Sequence, residues 1–117
     1  MSHAPQNSSR SSDFIARLPA GIRTKRELFE AMDRQLHLPD YFGHNFDSLE
    51  ECLRDLSWLS PERIILLHTD VPFDPESPER ETYLEILNDC VTHWQTVAGK
   101  PDRLLVLFPE EANEQGA

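Results

Sequence analysis

A chain of 117 residues with 38% hydrophobic residues is one domain, expected to bury roughly two thirds of its unfolded surface. Its 21 acidic against 11 basic side chains give a formal charge of -10, which argues against a general nucleic-acid or anionic-membrane binder and favours basic partners. No apolar run approaches the ~20 residues of a membrane span, the opening MSHAPQNSSRSS lacks a signal-peptide stretch, and the two cysteines, Cys52 and Cys90, fit a reducing cytoplasm rather than a disulfide scaffold.

Residues 1–12 are polar and Ser-rich and are expected to form a disordered tail. Asp13 to Leu18, DFIARL, is read as a first strand, turned by Pro19-Ala20-Gly21. Thr24 stands three residues before Glu27, the pattern of a capping box. Leu28, Phe29, Met32 and Leu36 share one helical face, predicting a helix over 24–37 that Leu38-Pro39 closes. In the loop PDYFGHN, Gly43 is expected to supply a left-handed conformation. Asn45 suits an N-cap and Asp47 the first turn of a second helix, whose buried stripe is Phe46, Leu49, Leu53 and Leu56.

RIILLH, 63–68, is a short apolar run that predicts a strand buried on both faces. Asp70 to Glu81 is a Pro-rich acidic connection running into a third helix, from Pro78 to about Val97. Tyr83, Leu84, Leu87, Cys90, Val91 and Trp94 are its inward residues, and Gly99 and Pro101 stop it. RLLVLF, 103–108, is a last apolar strand, and 109–117 is expected to be a flexible acidic end. The order predicts an α/β fold over 13–108, a small parallel sheet with helices packed over it.

Charge is uneven along the chain: residues 1–37 sum to +2 and residues 38–117 to -12. With the apolar stripe of the second helix facing the core, Asp47, Glu50, Glu51 and Arg54 fall on its opposite face at i, i+3, i+4 and i+7. Three acids in two turns repel one another, and a cationic partner would relieve that repulsion. The same spacing also fits a solvated face on which Arg54 pairs with Glu50 or Glu51. Tyr41 and His44, bulky and polar-tipped, precede the acids directly and add an aromatic component often found at interfaces.

The five histidines show neither HxxxH nor HExxH spacing, and the cysteines form no CxxC, so no metal site is predicted. His68, ending a strand, is read as a satisfied edge histidine, and the cysteines as small buried hydrophobes. Exposed helix carboxylates lack the cleft that splits acid and base pKa values. No GxGxxG, GxxxxGK or GxSxG occurs. The expectation is a protein with no catalytic residues and no cofactor.

The segment Leu38-Pro39-Asp40-Tyr41-Phe42-Gly43-His44-Asn45-Phe46-Asp47-Ser48-Leu49 resembles the barstar family of intracellular ribonuclease inhibitors. The likeness is strong over Thr24–Leu56 and extends across about 13–108. It implies a three-stranded parallel sheet packed by three to four helices, and a cytoplasmic inhibitor, a monomer when free. Such an inhibitor plugs the basic active site of a cognate extracellular-type ribonuclease or nuclease toxin without binding nucleic acid itself. By the resemblance, the family's binding tyrosine falls on Tyr41, its first helix carboxylate on Asp47 and its dominant carboxylate on Glu51. A further acid from the third helix falls on Asp89, and His44 and Glu50 lie within the same surface. Two positions depart from the pattern: the family aspartate is Glu51 here, one methylene longer, and its interface tryptophan is Glu50. The fold therefore carries over more fully than the target. The alternative function is an interaction module of the same fold that binds a different basic protein without inhibiting a ribonuclease.

Overall fold

Three parallel strands form the floor of the computed structural model, which describes residues 13–109. They are β1 (Asp13–Leu18), β2 (Arg63–His68) and β3 (Leu104–Leu107), in spatial order β1-β2-β3. Ile15 pairs with Ile65 and Ile65 with Leu105, so successive residues alternate between the two sheet faces in register. The tail expected over 1–12 and, apart from Pro109, the acidic end expected over 109–117 lie outside the described residues.

Three helices connect these strands among the described residues. Helix α1 (Lys25–Leu36) starts at the predicted capping box: Thr24 Oγ1 accepts from the Glu27 N–H, and Glu27 Oε1 accepts from the Thr24 N–H. It ends at His37, in the left-handed region at φ 52°, two residues before Pro39. Helix α2 (Phe46–Asp55) follows, and α3 (Pro78–Gln95) lies between β2 and β3 with proline in its first turn. Among the described residues no helix is long and apolar enough to cross a membrane.

The helices cover one face of the sheet. Ala16, Leu18, Ile64, Leu66 and Leu104 are buried there against Leu28, Met32, Leu49, Leu53, Tyr83 and Leu87. The expectation that β2 is buried on both faces is corrected by the other side, which β3 shares. Ile65, Leu67 and Leu105 are only half-buried, while Ile15 is 54% and Leu107 48% exposed. The apolar runs arise because one face meets the helical core and the other forms a flat aliphatic surface. The strand pattern alone does not distinguish that surface from a second core.

His68 ends β2 inside the core, its ring stacked on Phe108 at 4.2 Å. Leu107 O, 3.0 Å from Nδ1, can only accept, so Nδ1 carries the proton. Nε2 then accepts from the Tyr83 hydroxyl at 2.7 Å. Burial, partly offset by Leu107 O and Asp70, pushes the imidazole down to about 4 from its ordinary 6.5.

Because the folded pKa is depressed, the unfolded chain binds more protons between the two values. Stability should therefore be complete above pH 6.5 and fall as pH drops toward 4, by on the order of 3 kcal/mol. Asp13 and Glu27, lowered by hydrogen bonds from Arg63 and from the Arg23 and Thr24 backbone, lose their contributions as pH falls through the carboxylate range. Urea unfolding from pH 7.5 to 4.5 isolates the histidine: the loss there should vanish in His68→Gln, which cannot titrate.

Candidate functional site

The loop Pro39–Asn45 and helix α2 form one hydrogen-bonded unit. Asn45, extended at φ -144°, caps α2 by accepting the Ser48 N–H on Oδ1 at 2.8 Å, while its Nδ2 donates to Gly43 O at 3.2 Å. The buried Ser48 hydroxyl accepts the Gly43 N–H at 2.7 Å and lies 3.4 Å from Tyr41 O. Phe42 packs below, edge-on to Phe29 at 5.9 Å. The left-handed residue is His44, at φ 57°, and not Gly43 as expected. The chain reverses one residue later than glycine chemistry suggests, and Gly43 is needed for space: a Cβ there would stand 3.2 Å from Asn45 Nδ2.

Tyr41 is 53% exposed, yet its ring is not free. Its hydroxyl donates to Asp55 Oδ2 at the far end of α2, latching the loop along the helix. Burial and the adjacent Asp55 carboxylate push the phenol well above its ordinary range. The Tyr41 hydroxyl and Ser57 hold the Asp55 carboxyl below its own. Asp55 was not among the sequence candidates. Its partner lies fourteen residues upstream, and no helical spacing links them.

The acids of α2 divide into free and paired. Asp47 and Glu51, one turn apart, are exposed, and no partner for either carboxylate stands among the described residues. Glu50 is half-buried and accepts from Arg54 Nη2 at 2.8 Å, as the solvated-face alternative allowed for this residue. Asp89 is exposed on α3 beside the buried Cys90, whose Sγ lies 3.8 Å from Glu50 O. Cys90 thus ties this turn of α3 to Glu50, and Asp89 is the residue before it. His44 turns the other way. It stacks on Phe42 at 4.7 Å, has Nε2 3.9 Å from Asp33 Oδ2, and lines a groove with Lys25, Arg26, Phe29 and Phe46.

Two core contacts fix the carbonyl end of α2. Trp94 Nε1–H of α3 donates to Leu53 O at 2.8 Å. Arg103, just before β3, donates through Nη2 to Leu56 O at 2.6 Å and Leu59 O at 3.1 Å, and through Nη1 to Pro61 O and Glu62 O. Helix ends leave carbonyls without intrahelical donors, and a cation there also suits the helix dipole. Burial pushes the thiols of Cys52 and Cys90 up to about 11 each, so both are poor nucleophiles. No group of three potential ligands could hold a metal ion among the described residues.

A family model described as Barstar (barnase inhibitor) matches residues 16–108, covering the second half of β1, the other two strands, all three helices and the loop–helix unit. A comparison with curated proteins found no match.

Arg103→Ala should strip Leu59 O of its side-chain donor, leave Leu56 O with only the Leu59 N–H, and lower stability by about 2–3 kcal/mol, read as the shift of the denaturant midpoint. Arg103→Lys should recover only part, because an ammonium cannot reproduce the guanidinium fork.

Proposed function

The chain belongs to the barstar family, and from that premise we propose that it inhibits a basic ribonuclease or nuclease toxin by covering the active site with α2 and the loop before it. One observation carries the reading: Asp47 and Glu51 stand exposed, one turn apart and with no partner among the described residues, on a helix tied down at both ends. A ribonuclease binds the phosphates of RNA with cationic groups. Two fixed carboxylates can occupy those groups without offering a scissile bond, so inhibition needs no chemistry from the inhibitor.

Tyr41 contributes a latched aromatic surface, and Glu50 and Asp89 lie toward the α3 side of the contact. His44 forms the rim toward α1. Opposite charge across the contact accelerates encounter, an effect for which the barnase–barstar pair is itself the standard illustration. The protein acts as a monomer in the cytoplasm and contacts no nucleic acid.

Glu51 is longer than the aspartate implied by the resemblance, and close ion pairs tolerate poor geometry badly. The best-fitting enzyme is therefore one whose cationic pocket lies a methylene deeper than that of barnase.

The test is a titration of the purified protein into barnase-type ribonucleases while RNA cleavage is followed. Stoichiometric inhibition is expected, with Glu51→Ala weakening binding at least roughly thirtyfold, the free energy of a dominant interface residue. The association rate should also fall as salt is raised, since screening shortens the reach of exposed charges. Binding to a basic protein without loss of RNA cleavage would favour the interaction-module alternative.

A further inference from the structure

The outward face of α2 is less uniformly acidic than its sequence. Glu50 and Arg54 form an i,i+4 pair at 2.8 Å with the acid on the N-terminal side, the favourable order. Their side chains are 30% and 43% exposed. Pairs this exposed add little to stability, so the consequence of this one lies in the charge that the face displays. Cys90 of α3 lies beneath α2 with its Sγ 3.8 Å from Glu50 O, which sets Glu50, and the Arg54 paired with it, beside α3.

We propose that Arg54 is a specificity-determining residue: a built-in counter-ion that neutralises Glu50 and leaves Asp47 and Glu51 as the charges a partner must match. The inference rests on the inhibitor reading above and narrows it. A face presenting Asp47, Glu50, Glu51 and Asp89 all unpaired would attract any cationic cleft. With Arg54 in place, the fitting partner is a basic nuclease whose cations stand opposite Asp47 and Glu51. Opposite Arg54 it presents no lysine or arginine, and no group that the guanidinium must bind. A lysine or arginine there would be pressed against the guanidinium in a dehydrated contact, and that repulsion selects between nucleases of similar overall charge.

The experiment compares association rates with a barnase-type ribonuclease, at about 0.1 M salt, for the wild type, Arg54→Ala, Glu50→Ala/Arg54→Ala and Arg17→Ala. Arg17→Ala removes the same charge from β1, on the sheet face away from the helices, and so alters net charge without altering the face of α2. Arg54→Ala should associate roughly threefold faster, as expected when one like charge is removed beside a basic cleft. The double variant should return to the wild-type rate, and Arg17→Ala should stay near it. An Arg54→Ala rate equal to that of Arg17→Ala, or slower than wild type, would overturn the proposal. The slower rate would mean that the guanidinium itself grips the partner. A wild type that binds no such ribonuclease would sink the inhibitor reading and this inference with it.

Discussion

The surface offered by α2 depends on how its carbonyl end is held. Ten residues make a helix too short to persist alone in water. Trp94 Nε1–H on Leu53 O, and the Arg103 fork on Leu56 O at the C-cap and on Leu59 O just beyond it, fix α2 against α3 and the start of β3. Arg103 lies 5.8 Å from the Trp94 ring, so the two anchors also brace each other. Leu49, Cys52 and Leu53, fully buried, set the rotation of the helix about its axis, and that rotation puts Asp47 and Glu51 outward.

The N-terminal end is fixed by a different device with the same effect. Asn45 and Ser48 satisfy Gly43 and the first turn, and the Tyr41–Asp55 contact closes the loop along the helix. An exposed aromatic that must be ordered on binding loses entropy at that moment, whereas one already held does not. The arrangement thus resembles a rigid binding surface more than a flexible loop. The buried serine and the capping asparagine hold the loop in that form from below.

Much of this was legible in the chain. β1, β2 and the start of α3 fall where their patterns place them, because each begins or ends on a strong local signal such as Pro78 or the turn after Leu18. The capping box at Thr24 and the cap at Asn45 are local chemistry and were readable as such. Three features were not. The open face of the sheet is hidden because Ile65 and Leu67 are as apolar as a buried face would require. The left-handed turn falls on His44, although the adjacent Gly43 has the stronger preference for that region. Asp55 and Arg103 act across fourteen and forty-seven residues of chain, and only folding brings them to Tyr41 and Leu56.

Occlusion of the active site means that α2 and the ribonuclease's phosphate ligand would compete for one basic site. It is tested most directly by measuring how tightly the protein binds a barnase-type ribonuclease as a mononucleotide phosphate is titrated into the enzyme's active site. The account predicts competition, with apparent affinity falling in proportion to nucleotide occupancy. Formation of a ternary complex at undiminished affinity would contradict it, placing the contact elsewhere on the enzyme.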